Sequence, residues 1–479
     1  MKDMKFKKPI SSRLAMKGGS YSLAVTAIVL AILIVVNIFV SVMPANLTKL
    51  DISSSKLYSI TSNTKAVVNN LQQDVTIYWV VQADKEDSVI ENLLAKYDSP
   101  SDHIDVVKKN PDVFPTFTEQ YTEEQVPNNS LIVESGERSR YISYDDIYLV
   151  DTNMYSYSYN TSFDGEGAIT SAIDYVVTED LPKMYVLEGH GEQDLPATFA
   201  DSVEKENIEV SSLSLLTVDE IPEDADCIAM YAPQSVISQE EAQMLIEYTD
   251  NGGKLLVIAG PVEGAEFDNL NSVLSHYGVE VNDGIVVEGD RNYYAFGYPY
   301  VLMPSMENSE ITDSLIEARY YPIFPLAYGL TVGDSSNGEV TALLNTSDAS
   351  FSKVAGFELD TYEKEEGDID GPFTVGVSIA TAGDGQIVWF SASNFLDDRY
   401  NAFSSGANVD LTMNALSSLI GEREAMAIRS KSLNYNYLTI SESTASTLKA
   451  LMIGVFPLAY LGVGIVVILR KRRKQNEAV

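Results

Sequence analysis

Lys183-Met184-Tyr185-Val186-Leu187-Glu188-Gly189-His190-Gly191-Glu192 decides how this chain is read. The first five residues predict a strand, which runs straight into a loop opened by two glycines. A second strand is predicted over Asp226-Cys227-Ile228-Ala229-Met230-Tyr231, ending at Pro233. Ser238-Gln239-Glu240-Glu241 is a capping box that starts a helix, and Ala242, Leu245 and Ile246 form its apolar stripe. Asn251-Gly252-Gly253 stops that helix, and Lys254-Leu255-Leu256-Val257-Ile258-Ala259 returns as a buried strand. Strand, helix and strand in this order predict an α/β fold, a doubly wound parallel sheet with its loops gathered at the carboxyl edge.

Toward the C-terminus, Phe267 to Tyr277 predicts another helix. An aromatic loop follows, Tyr293-Tyr294-Ala295-Phe296-Gly297-Tyr298-Pro299-Tyr300. Strands are expected over Val340–Leu344, Phe373–Ile379 and Gln386–Ser391, and a helix over Val409–Ile420. Toward the N-terminus, Val75–Val80 reads as a strand, Glu91–Tyr97 as a helix and Ile104–Val107 as a strand. Residues 126–137 read as a strand pair turning at Gly136. This order, with Pro127 just before the third strand, resembles the thioredoxin fold, and that resemblance implies a cis Pro127. Cys227 is the single cysteine, so no Cys-x-x-Cys exists and dithiol redox chemistry is excluded. In Tyr155-Ser156-Tyr157-Ser158-Tyr159 the alternation puts three rings on one strand face, expected to be a half-buried sheet face, with stacking on a sugar as the alternative. Ala168 to Val177 predicts a helix.

An apolar stretch lies near each end of the chain. Tyr21–Met43 and Ala450–Leu469 carry no charged side chain, and each is long enough to cross a bilayer as a helix. Lys2, Lys5, Lys7, Lys8, Arg13 and Lys17 precede the first, and Arg470 to Lys474 follow the second. This basic flanking puts both termini in the cytoplasm and the intervening body outside. The first run is longer than a signal-peptide core, which favours a retained anchor over a cleaved leader. Eleven of the 32 basic residues flank the two runs, and only Asp3 and Glu477 of the 69 acidic residues lie outside 44–449. That body therefore holds 21 basic against 67 acidic residues, a formal net charge of −46. Such a surface repels nucleic acid and anionic lipid and attracts cations or basic partners. The expected organisation is a basic cytoplasmic tail over 1–20, a membrane helix over 21–43 and a thioredoxin-like ectodomain over 44–160. A doubly wound domain over 161–330, a β-rich part over 331–420 and a stalk over 421–449 come next. The second membrane helix over 450–469 and a basic tail over 470–479 complete it.

Little chemistry is offered. No P-loop or dinucleotide-binding glycine motif occurs, so the chain has no motor of its own. Gly376-Val377-Ser378-Ile379-Ala380 lies in a β run without a nucleophile elbow. The loop Glu188, Gly189, His190, Gly191 and Glu192 is the candidate ligand-binding site, because it follows a strand at the edge where such folds hold ligands. The competing reading is a histidine that pins the loop by hydrogen bonding. Only His103, His190 and His276 exist, with no zinc-ligand spacing, and neither a metal nor a cofactor is expected.

Several segments together resemble a known family. These are Leu50-Asp51-Ile52-Ser53 to Thr61, Phe163-Asp164-Gly165-Glu166, Val186 to Glu192, Asp226–Pro233, Ser238–Gly253 and Leu255–Pro261. They are similar to the GldG-like auxiliary component of gliding-motility-type ABC transporters, which contains an intraflagellar-transport-type domain. The resemblance implies a non-enzymatic accessory subunit that works with a separate permease and ATPase on an unknown cargo. It also implies a doubly wound domain like a glutamine-amidotransferase fold that lacks its nucleophile. A surface adhesion or scaffold protein, and an envelope hydrolase centred on His190, are the alternatives.

Overall fold

The computed structural model describes residues 24–38, 57, 59–98, 100–153, 158–421, 428, 430–433 and 449–476. It divides into one compact unit ending at Ser432 and a second beginning at Leu433.

The first unit opens, past the apolar helix Ala24–Ile38, with α1 (Ser62–Asn70), capped by the Thr61 side chain. A four-stranded sheet follows, built from β1 (Val75–Val80), β2 (Ile104–Lys109), β3 (Ser130–Ser135) and β4 (Arg138–Ile142). Its order is β2-β1-β3-β4, with β1 and β2 parallel and joined through α2 (Ser88–Asp98), and β3 and β4 an antiparallel hairpin. Gly136 takes φ +59 in the hairpin turn, as its place in the sequence suggests. Pro127 is trans, against the cis bond that the thioredoxin resemblance implied; among the described residues the cis peptide bond is Gly371–Pro372.

β5 (Tyr148–Asn153) and β6 (Ser158–Phe163) pair antiparallel and lead into α3 (Gly165–Val177), which is buried along most of its length. Tyr155 and Tyr157 lie outside the described residues.

The large sheet is built on β7 (Lys183–Leu187), β8 (Glu209–Leu213), β9 (Cys227–Tyr231) and β10 (Lys254–Ile258). α4 (Ala197–Lys205) joins β7 to β8, and α5 (Gln239–Asp250) joins β9 to β10. α6 (Asp268–His276), β11 (Val279–Asn282) and β12 (Ile285–Val287) come next. β13 (Gly329–Val332), β14 (Gly338–Asn345), β15 (Phe351–Lys353), β16 (Ile369–Asp370), β17 (Thr374–Thr381) and β18 (Gln386–Phe390) lie further along the chain. α7 (Asp398–Phe403) and α8 (Ala407–Ile420) follow.

The sheet order is β11-β13-β17-β18-β10-β9-β7-β8, with β14 beside β17. β18, β10, β9, β7 and β8 are parallel, as βαβ alternation requires. β17, β14, β13 and β11 extend it antiparallel, so the sheet is mixed rather than wholly parallel. The fold is thus mixed α/β. Period-2 alternation divides β9 cleanly: Cys227 and Ala229 face α4 and α8, and Ile228 and Met230 face α5 and α6. Both faces are covered, which explains the continuous apolar runs of β9 and β10.

In the second unit, residues 450–455 are π-helical and Phe456–Asn476 is α-helical. Leu451–Arg470 is the one helix among the described residues long and apolar enough to cross a membrane. Ala24–Ile38 is apolar but shorter, and the rest of the expected first span lies outside the described residues.

Candidate functional site

The loop after β7 needs its glycines: Gly189 takes φ +125 and Gly191 φ +74. Between them His190 turns inward, its side chain only 9% exposed. Its carbonyl accepts bonds from the Gln234 and Ser235 amides and the Ser235 hydroxyl, at 3.0, 2.9 and 2.9 Å. The loop is thereby stitched to the end of β9. His190 Nδ1 lies 3.4 Å from Glu192 Oε1, and Nε2 lies 3.2 Å from Glu241 Oε2. Glu241 comes from the first turn of α5. There its carboxylate accepts from the Ser238 amide at 2.8 Å, while the Ser238 hydroxyl accepts from the Glu241 amide. Glu192 in turn accepts from the His190 amide at 2.7 Å. Both carboxylates are buried, and Glu192 Oε1 and Glu241 Oε1 have no hydrogen-bond partner among the described residues.

The structure therefore brings His190 and Glu192 together and leaves Glu188 and Gly189 at the surface. It adds Glu241, which the sequence presented only as a helix cap. The two ring nitrogens face different carboxylates, so the donors do not converge on one point. Among the described residues no group of three His, Cys, Asp or Glu side chains is placed to hold a metal ion. The imidazole sits between two elements, the loop after β7 and the first turn of α5.

Cys227 does not reach this edge. It opens β9, at the end of the strand remote from the carboxyl side of the sheet. It is fully buried, and burial pushes its thiol pKa up to about 12. The turn after β10 is Ala259-Gly260-Pro261, with the Gly260 amide bonded to Ser393 Oγ at 2.7 Å.

A second constellation was carried by the sequence segment Phe163-Asp164-Gly165-Glu166 without its role being visible. Glu166, at the start of α3 and 2% exposed, accepts from the Thr61 amide at 2.5 Å and the Thr64 hydroxyl at 2.7 Å. Its other oxygen lies 2.8 Å from Lys431 Nζ, which also donates to the Ser59 carbonyl at 2.7 Å. Lys431 and Ser432 form β19, paired antiparallel with the end of β6. The glycines are packing residues: a Cβ on Gly165 would lie 2.7 Å from the Phe163 ring, and one on Gly167 2.9 Å from Asp164 Oδ1. Asp164 is paired with Lys205; burial raises its pKa and Lys205 partly offsets that. Beside it opens a cavity of about 290 Å³, lined in part by Ser171, Thr198, Asn401 and Met413.

Residues 181–414 match the family model described as an ABC-type uncharacterized transport system, and residues 54–149 match a domain of unknown function. This supports an accessory component of an ABC transport system that associates with other transporter components. With the apolar helix Leu451–Arg470, it points to the membrane. No curated protein matches the chain. Among solved structures, the mmIFT52 N-terminal domain is 20% identical, covering 50% of this chain and 98% of its own, with a TM-score of 0.38. A glutamine amidotransferase from Thermotoga maritima is 9% identical over 50% of this chain and all of its own, with a TM-score of 0.28. PurLQS from Thermotoga maritima is also 9% identical over 50% of this chain and all of its own, with a TM-score of 0.25.

Proposed function

We propose that this chain is a non-catalytic, extracytoplasmic accessory subunit of a bacterial ABC transporter, of the GldG-like type. Two membrane helices anchor it, and a separate permease and P-loop ATPase supply the movement and the energy. The observation that carries this reading is the junction on Glu166, in a chain whose residues 181–414 match that transport family. Residues 59–64, which follow the first apolar run, and Lys431, which precedes the second, meet on one carboxylate. Bringing residues 59–64 and Lys431 onto one carboxylate is what a lobe held by two anchors in one bilayer requires. The His190 loop is then an internal brace, and the doubly wound scaffold serves as a binding platform without a nucleophile.

Affinity capture of the full chain from mild-detergent extracts tests this, with mass spectrometry of what comes with it. A polytopic permease and a P-loop ATPase are expected. Their absence from cross-linked and uncross-linked preparations alike would overturn the reading. Protease treatment of intact cells tests the topology, and an uncleaved body in cells whose outer layers are permeable would place it in the cytosol.

A further inference from the structure

The loop after β12 is used by neither the His190 loop nor the Glu166 junction. Tyr298 N donates to the Ala295 carbonyl at 3.0 Å, closing a tight turn with Phe296 and Gly297 at its centre. Their φ values are +55 and +81. Two successive positive φ values are the backbone that Asn-Gly adopts readily and that a bulky aromatic residue resists. Burial does not compensate for this, because Phe296 is 53% exposed. Backbone strain and solvent-facing apolar area on one residue oppose both local propensity and the fold, and such conflicts collect where a surface is used.

The ring has company. Phe403 of α7, itself 48% exposed, lies 4.8 Å away. On the other side of the turn Tyr298 is 5.7 Å from Tyr300, and Tyr300 is 5.5 Å from Tyr362. Tyr300 and Tyr400 pack on the same small core of Ala295, Val301 and Ile323, which joins the two groups of rings into one surface.

The segment carrying Tyr362 is fixed by a buried cation. Lys353 Nζ, with its side chain wholly inaccessible, donates to the Glu363 carbonyl at 3.0 Å and pairs with Glu365 and with Asp368 at 3.2 Å. This clamp sets Tyr362 beside Tyr300 in a segment that also exposes Asp360, Glu363 and Glu366. Ahead of Phe403, Asp397 caps α7 and Asp398 accepts from the Thr198 amide and hydroxyl, so the carboxylates that rim the rings are those of the Tyr362 segment. The rings already attract cations of their own chain. The Arg399 guanidinium lies 5.6 Å from the Phe403 ring centre, and that of Arg291 lies 4.6 Å from Tyr294.

We propose that this aromatic surface binds a basic polypeptide segment of a partner protein. Its Lys and Arg side chains lie over the faces of Phe296 and Tyr298, with Phe403 packed against Phe296, and the carboxylates of the Tyr362 segment neutralise their charge. Charge complementarity selects this occupant: the rings supply negative quadrupole faces, the rim supplies carboxylates, and the body as a whole carries −46. The surface stands whether or not a permease docks on the chain.

The test uses the full chain in detergent and a fluorescent Arg-Gly repeat peptide, read by anisotropy at physiological salt. Phe296→Asn installs the Asn-Gly pair that the turn prefers. It should leave the thermal midpoint unchanged or raise it while weakening peptide binding about fivefold or more. Phe403→Ala with Tyr298→Ala should weaken binding further, and Glu123→Gln, on an exposed carboxylate of the loop between β2 and β3, should leave it intact. Equal peptide affinity in wild type and Phe296→Asn overturns the proposal, because attraction to the acidic body alone would then explain binding. Ring-dependent binding of a neutral oligosaccharide with none of the peptide would assign the surface to glycan instead, and overturns it equally.

Discussion

Lys431 Nζ stands 2.8 Å from Glu166 Oε2, joining the last strand of the folded body to the helix that follows β6. The pair is almost dry, with side-chain exposures of 12% and 2%. The opposite Glu166 oxygen is used by Thr61 and Thr64. One carboxylate thus serves two segments far apart in sequence.

Glu166→Ala leaves the Lys431 ammonium without its carboxylate and deprives the Thr61 amide and Thr64 hydroxyl of their acceptor. Breaking one side of a buried pair costs roughly 3–5 kcal/mol. Urea unfolding should show the loss, and limited proteolysis should cut first near residues 59–64 and 428–433. A midpoint equal to wild type would mean the junction carries no stability.

His190→Ala removes the imidazole that lies beside two buried carboxylates and opens a cavity next to them. Its cost should exceed the roughly 1 kcal/mol expected for Ser238→Ala, which removes only the side-chain cap of α5. Thermal unfolding of the two variants side by side decides the point. The reverse order would show that the histidine is not a brace.

Cys227 should resist alkylation in the folded protein. Burial pushes its thiol pKa up to about 12, so hardly any thiolate forms at pH 8, and the group has no solvent access. Labelling with iodoacetamide, followed by mass spectrometry, should be negligible without denaturant and complete in strong urea. Ready labelling of the native protein would contradict the packing of β9.

Burial opposes ionisation of Asp368, but the Glu365 and Val354 amides and the Lys353 ammonium outweigh it and hold the pKa below the ordinary 3.8. A carboxyl with a depressed native pKa stabilises the fold above its unfolded value, and that contribution is lost as pH falls through the native one. Asp368→Asn should therefore be less stable than wild type at pH 6, with the difference narrowing steadily below pH ~4. Urea midpoints measured across this range provide the check, and a gap that widens on acidification would reverse the sign.

The sequence carried the regular part of this architecture well, because its signals were local. The run Val75–Val80 and the run Lys183–Leu187 are strands over those residues, and the Ser238–Glu241 box makes both of its hydrogen bonds. The helix expected from Ala168 begins three residues earlier, since Gly165 and Gly167 are selected by close packing and not by helix propensity. β8, with its pattern of exposed residues, gave no apolar period to read. Of the candidate site, His190 and Glu192 were legible in one loop. Glu241 was not, because only the fold sets α5 against that loop. Likewise Glu166 and Lys431 are united by tertiary structure, and neither residue is distinctive within its own segment.

The neighbour of β10 in the sheet is β18, so Lys254 finds Gln386 and Ile258 finds Phe390 across a long excursion of chain. During synthesis the apolar edge of β10 stays open until the ribosome has delivered residue 390. Non-local closure of this kind is slow, and exposed edges of this kind aggregate. Nascent chains truncated within residues 262–385 should accordingly be chaperone-bound and prone to precipitate, and the lobe acquires its native form only late in translation.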